Sequence, residues 1–292
     1  MSNPVFETLC DLGVCAQDAV ETVQTFVRDR DDVPVLRCRR SGVIFLARTD
    51  HMDMAHYEAK PPTHRAGVQK RAIINTNDDT QRRYARYANL IRAKRWLDIG
   101  AGSGAVLDAL GPLAADYAGV EPQAIAAGFL GELGHPVYRR LDAVKDASFD
   151  VVTLFHVFEH VQDPLALLRD VVRLLVPGGR LIIEVPHARD FLISFVDCPA
   201  FRAHTFWSEH LLLHTRESLR ALVAHAGLDV LGVEGVQRYP LANHLYWLAE
   251  GKAAGHLTWN LLTDERLDQS WGDVLARLDM TDTLVLEARR PA

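Results

Sequence analysis

Trp96-Leu97-Asp98-Ile99-Gly100-Ala101-Gly102-Ser103-Gly104 is the stretch that decides the fold of this chain. An apolar run that ends in an acid and is followed by glycine at every second position reads as a strand turning sharply into a helix. Glycine there frees the backbone to bend and lets a ligand approach closely, while the outward-pointing amides of the next helix face a polar or anionic group. Working outward, strand-like and helix-like segments alternate. A helix over 80–93 leads into strand 95–99; helix 105–110, strand 116–120, helix 123–133, strand 137–141 and strand 149–155 follow. Helix 163–176, with Leu165, Leu168, Val172 and Leu175 at helical spacing, is expected to stop at Pro177-Gly178-Gly179 before strand 180–185. A helix capped by Thr215 and ended by Gly227, a strand over 228–235 and a last strand within 281–290 complete the series. Such alternation predicts an α/β fold with a mainly parallel sheet covered by helices.

Acids stand at three successive strand ends. Asp98 precedes the first glycine, Glu121 follows the second strand nineteen residues after Gly102, and Asp142 follows the third. A carboxylate at the second position is placed to hold a ribose diol. Dinucleotide enzymes share a glycine loop and such an acid, but their fingerprint is G-x-G-x-x-G, whereas single-residue gaps separate Gly100, Gly102 and Gly104. Asp98, two residues ahead of the loop, suits an ammonium better than a pyrophosphate.

With LDIGAGSG, VEP, FDVVTLFHVFEHVQDP, LLVPGGRLIIEVP and HTRESLRALVAHAG, the chain resembles the class I S-adenosylmethionine-dependent methyltransferases over about residues 80–235 plus the last strand. The resemblance implies a Rossmann-like seven-stranded sheet of order 3-2-1-4-5-7-6 with the last strand antiparallel. It also implies S-adenosylmethionine as cofactor: Asp98, Gly100, Gly102 and Gly104 facing the methionine portion, Glu121 on the ribose hydroxyls, Asp142 and the Ala143 backbone on adenine, and Phe155 to Val157 lining the sulfonium.

Methyl transfer aligns acceptor, methyl and sulfur in line and must dispose of the acceptor's proton. His156, Glu159 and His160 sit at i, i+3 and i+4, and six of the thirteen histidines fall between 156 and 214. Three accounts stay open. A divalent metal could be held by His156, Glu159, His160 and a later histidine, with His210 preferred to His204; this resembles the E-x-x-E-H arrangement of metal-dependent small-RNA 2'-O-methyltransferases and some quinone-pathway O-methyltransferases, with His156 in place of the first Glu. Alternatively His160 or His210, beside Glu159, acts as a general base without metal, or the cluster is structural and the later histidines lie on the surface.

The rest of the chain supplies context. Residues 1–78 read as an N-terminal accessory lobe with a short helix and a hairpin about Arg40-Ser41-Gly42, followed by a Pro-containing connection, Pro61 to Lys70; residues 79–292 form the catalytic domain, with capping insertions at about 188–214 and 238–280. Cys38-Arg39-Arg40-Ser41-Gly42 is similar to a C-x-x-C-G knuckle of some sugar methyltransferases, with Ser41 replacing a cysteine, and structural zinc is not expected. Asn243, His244, Tyr246, Trp247 and Lys252 suit either stacking on a sugar or aromatic acceptor or the core of a lid. Arg82, Arg83 and Arg86 read as a solvated helix face, with acceptor phosphate the alternative. With 48% apolar and 24% charged residues the 292-residue chain is globular, and a net charge of −6 disfavours nucleic acid. Four cysteines fit free thiols in a reducing, cytoplasmic setting, no ~18-residue apolar run crosses a bilayer, and no secretory leader is expected. The expectation is a methyltransferase O-methylating a small acceptor such as a sugar, sugar nucleotide or natural-product intermediate. The alternatives are metal-dependent 2'-O-methylation of RNA and a non-catalytic cofactor-binding subunit; the number of subunits is left open.

Overall fold

A computed structural model describes residues 3–52 and 78–292; the connection expected at 61–70 lies outside the described residues. The first elements are a helix, Pro4–Asp11, and strands β1 (Val20–Gln24), β2 (Val35–Cys38) and β3 (Ile44–Leu46). β2 and β3 form the hairpin expected about Arg40-Ser41-Gly42. The fold then alternates: helix Asp78–Ile91, β4 (Arg95–Ile99), helix Ala105–Leu110, β5 (Asp116–Val120), helix Ala124–Glu132, β6 (Val137–Tyr138), β7 (Phe149–Phe155), helix Pro164–Leu174 and β8 (Leu175–Pro186). After two short helices come β9 (Leu212–Leu213), helix Arg216–His225, β10 (Asp229–Val236), a helical cap over 241–278 and β11 (Thr283–Arg289).

The main sheet runs β6-β5-β4-β7-β8-β11-β10, which, counted from β4, is the order 3-2-1-4-5-7-6. β11 pairs antiparallel with both β8 and β10, and the remaining pairs of this sheet are parallel. The central strands are apolar almost throughout because helices cover both faces; Leu97, Val152, Leu154 and Ile183 are fully buried. The carboxyl ends of β4, β5 and β7 therefore share one rim, where open α/β sheets bind ligands.

Three local expectations change. The third strand was drawn to Leu141 but stops at Tyr138, and Asp142 sits in a one-turn helix, Leu141–Ala143. As the outermost strand, β6 has a single neighbour and too little pairing to continue. The helix drawn to Val176 ends at Leu174; Leu175 is already extended and opens β8, and Pro177-Gly178-Gly179 forms an irregularity where β8 pairs with β7. The 188–214 segment supplies β9, which adds to β3 and completes a four-stranded sheet with β1 and β2.

The lobe and the catalytic sheet thus share structure. Asn3 caps helix Pro4–Asp11 through Val5 and Phe6 N–H, and its amide donates to the carbonyls of Leu46 (2.8 Å) and Leu211 (3.0 Å). Phe6 stacks on Phe45 at 3.9 Å, in the same apolar cluster as Leu97 and Leu154. Cys15 Sγ lies 3.3 Å from Ser41 Oγ, and Cys10, Cys15 and Cys38 are free thiols. Among the described residues the group of side chains placed to hold a metal contains no cysteine. No helix among them is long and apolar enough to cross a membrane.

Candidate active site

The glycine loop adopts the conformation its composition requires. Gly100, Gly102 and Gly104 have φ of +80°, +53° and +81°. A Cβ on Gly100 would stand 2.2 Å from Val157 Cγ2 and one on Gly104 2.4 Å from Leu130 Cδ2, whereas one on Gly102 would meet nothing closer than 3.9 Å. Gly100 and Gly104 are therefore held by packing, and Gly102 faces open space where a ligand would lie. Gly100→Ala is expected to cost about 1–3 kcal/mol from overpacking, plus left-handed strain, and to lower Tm. Gly102→Ala is expected to weaken cofactor binding with a smaller change in Tm; melting curves beside titration calorimetry on both variants separate the two.

Asp98 is 3% exposed at the end of β4. Trp96 Nε1 donates to Thr153 Oγ1 (2.9 Å), whose hydroxyl donates to Asp98 Oδ1 (2.6 Å), fixing that carboxyl. Burial pushes the Asp98 pKa up to about 7, against the lowering effects of Thr153 and Arg83. Glu121 accepts from the Gly102 and Gln123 N–H groups (2.8 and 2.9 Å), so it ties the loop to the next strand while keeping lone pairs for a diol. Burial raises its pKa, outweighing those bonds. Asp142 is exposed and pairs with Arg140 at 3.1 Å. Phe155 packs in the apolar cluster under Arg83, whose guanidinium lies 4.6 Å from the ring centre.

β7 ends at Phe155, and the chain leaves it through His156 in the left-handed region, φ +56°. This non-glycine outlier turns the one-turn helix Phe158–His160 back over the sheet. Glu159 is 1% exposed, and neither carboxylate oxygen receives a hydrogen bond. Ligand atoms of Glu159, His160 and His210 lie within 4.8 Å of one another. His160 Nδ1 must donate to the Glu209 carbonyl at 2.7 Å, because a carbonyl only accepts; this leaves Nε2 facing Glu159 Oε1 at 3.8 Å. Burial opposes ionisation of Glu159, but His156, His160 and His210 together hold its pKa down to about 2. Burial, reinforced by His160, pushes His210 down to about 3.

His156, expected as a metal ligand, lies outside that triad. Its Nδ1 is 3.4 Å from Glu159 Oε1 and its Nε2 3.2 Å from Glu184 Oε1. Burial and Arg238 disfavour its charge, yet the two carboxylates outweigh them and raise its pKa. An imidazole between two ionised carboxylates serves both only as imidazolium, which has no lone pair for a metal.

Glu184, overlooked in the sequence, is fully buried in β8 and binds Arg82 (2.8 Å) and Arg83 as well as His156. Those two arginines are therefore tied to the sheet rather than solvated as expected, and Arg86 pairs with Glu234. Of the later histidines, His204 is exposed and His210 half-buried, but His187 and His214 are buried rather than on the surface. His187 Nδ1 donates to the Thr281 carbonyl (3.0 Å), His214 stacks on Phe158, and burial pushes both pKa values down to about 4. In the cap, Asn243, His244 and Trp247 are buried, with Trp271 donating to His244 at 3.4 Å and Tyr246 edge-on to Trp259. Of the two roles open to this set, these three residues fill the core of the cap.

A family model described as "Methyltransferase domain" matches residues 71–233, more than half of the chain and all of the rim described above. The chain belongs to the class I S-adenosylmethionine-dependent methyltransferases. This methyltransferase is 31% identical to a ubiquinone biosynthesis O-methyltransferase of Aeromonas salmonicida over 164 residues, 51% of this chain and 69% of the relative. It is 29% identical to the protein of the same name from Pseudomonas aeruginosa over 168 residues, 53% and 72% of the two chains. Two solved structures share its fold. One is an S-adenosylmethionine-dependent methyltransferase of Mesorhizobium loti, with a TM-score of 0.51 at 16% identity, covering 74% of this chain and 100% of the other. The second, from Archaeoglobus fulgidus, has a TM-score of 0.50 at 20% identity, covering 75% and 94%. The cofactor of the methyltransferase is S-adenosylmethionine.

Proposed function

We propose that this methyltransferase transfers the methyl group to a phenolic hydroxyl of a small acceptor, with a divalent cation held by Glu159, His160 and His210. The observation that carries the reading is the buried Glu159 carboxylate, whose oxygens accept no hydrogen bond in good geometry and which is grouped with His160 Nε2, 3.8 Å away, and a ring nitrogen of His210. Ligand atoms of one carboxylate and two imidazoles converge there, an arrangement that suits a cation. A histidine whose other nitrogen donates to a backbone carbonyl is also how metal-ligating imidazoles are oriented. Two imidazoles and one carboxylate favour a transition-series ion such as manganese or zinc over magnesium. Such an ion, when bound, lowers the pKa of a hydroxyl placed on it.

The protein's own groups supply the rest. Asp98 takes the cofactor ammonium, Glu121 the ribose diol, Asp142 with the Ala143 backbone the adenine, and Phe155 walls the sulfonium. His156 and Glu184 hold Glu159 in place. The acceptor oxygen attacks the methyl carbon, the carbon–sulfur bond breaks with its electron pair passing to sulfur, and the hydroxyl proton leaves to solvent. Glu159 near 2 and His210 near 3 are poor proton acceptors. That weakness favours an acceptor that is itself acidic, and a phenol ionises near 10 as tyrosine does. It also disfavours a sugar alcohol, whose suggested platform is largely cap core. The relatives' name, which speaks of quinone biosynthesis, points the same way.

The test is transfer of labelled methyl from S-adenosylmethionine to catechols and to sugars, before and after treatment with chelator. Methylated catechol, with activity lost on chelation and restored best by manganese or zinc, is the expected result. Methylated sugar alone, or catechol turnover indifferent to chelator, contradicts it.

A further inference from the structure

The acceptor side of the site carries one cation that the chemistry above leaves unused. Arg28 lies in the turn after β1, and that turn is fastened to the loop bearing His210. Its backbone N–H donates to the Phe206 carbonyl (2.9 Å), and Asp29 accepts from Ser208 N–H (3.0 Å) and Oγ–H (2.6 Å). The Arg28 guanidinium lies 4.6 Å from the centre of the Trp207 ring and donates one N–H to the His204 carbonyl (3.3 Å). Trp207 in turn stands edge-on to His210 (5.6 Å) and His160 (6.1 Å).

Charge separates this arginine from the others around the site. Arg82, Arg83, Arg202, Arg216 and Arg238 each have a carboxylate. Among the described residues Arg28 has none, since the neighbouring Asp29 is committed to Ser208. A guanidinium held over an indole and tied to a backbone carbonyl has lost much of its rotational freedom before any ligand arrives, and its remaining N–H groups can pair with a planar or tetrahedral oxyanion.

We infer that Arg28 is an acceptor-recognition residue, and that the acceptor carries an anionic group, a carboxylate or a phosphate, on the side away from the methylated hydroxyl. This rests on the proposed reading only in placing the acceptor hydroxyl at Glu159, His160 and His210. On this inference the N-terminal lobe selects the acceptor, and the catalytic domain supplies the chemistry.

The experiment measures binding rather than turnover. Protein loaded with S-adenosylhomocysteine is titrated by calorimetry with 3,4-dihydroxybenzoate, with 3,4-dihydroxyphenylphosphonate and with the neutral 4-methylcatechol, in wild type and in Arg28→Met and Arg28→Lys. One charge-assisted fork corresponds to about a tenfold to hundredfold preference for an anionic ligand. The expected result is that preference in wild type, its loss in Arg28→Met, and partial recovery in Arg28→Lys, while the Kd of 4-methylcatechol moves by less than about twofold. Whichever anion binds more tightly identifies the group as carboxylate or phosphate. No preference in wild type, or equal weakening of neutral and anionic ligands in Arg28→Met, overturns the inference. Anion-selective binding without methylation of any catechol would count against the proposed reaction and leave the inference standing.

Discussion

Methyl transfer by Glu159→Gln is expected to fall about 10²–10³-fold, with S-adenosylmethionine bound as in wild type. Glu159 makes no contact with Asp98, Glu121 or Asp142; its neighbours are His156, His160 and His210. The substitution keeps shape and removes charge, so it separates a carboxylate that acts in the reaction from one that merely fills space. It also leaves the His156 imidazolium with Glu184 alone, and about 1–3 kcal/mol of stability is expected to go with it. Single-turnover rates and a cofactor titration on the same folded preparation check the prediction. An unchanged rate would remove Glu159 from the acceptor site.

The second large effect is the pH dependence of cofactor affinity. Burial pushes the Asp98 pKa up to about 7, and on the proposed reading its carboxylate must be ionised to pair with the cofactor ammonium. Below about 7, binding therefore expels a proton, and affinity is expected to fall about tenfold per pH unit. Above about 8 the ammonium itself, an α-amino group, loses its proton and affinity falls again. The expected profile is a bell with its top between about 7 and 8. Asp98→Asn is expected to weaken binding about 30-fold or more and to flatten the acid limb, leaving the alkaline one. Calorimetry across pH 5.5–9 in buffers of different ionisation enthalpy reads both affinity and protons released. An affinity constant from pH 5.5 to 7 would show that Asp98 does not meet the ammonium.

Much of this architecture is legible in the sequence because the relevant signals are local. Buried parallel strands must be apolar throughout, so β4, β5 and β7 appear at their observed bounds, and a loop that must take positive φ needs glycine. What escaped depends on partners distant in sequence. Arg82 and Arg83 lie on a polar helix face, and nothing local says that Glu184, about a hundred residues on, waits beneath them. The acid in LIIEVP is the available hint, since a charge in a buried strand requires a partner. Thr153 gives the same hint in FDVVTLF. The spacing of His156, Glu159 and His160 suggests convergence by assuming a helical turn, but left-handed His156 swings its ring between two carboxylates. The pairing of β9 with β3 is similarly invisible, because two leucines in an aromatic-rich insertion carry no register.

Anomalous diffraction from crystals grown with manganese and S-adenosylhomocysteine tests the central claim most directly. A single strong peak enclosed by Glu159, His160 and His210, absent in crystals of Glu159→Gln, is the result predicted. Full occupancy of the cofactor cleft with no peak at those three side chains, or a peak that instead contacts His156, would contradict it.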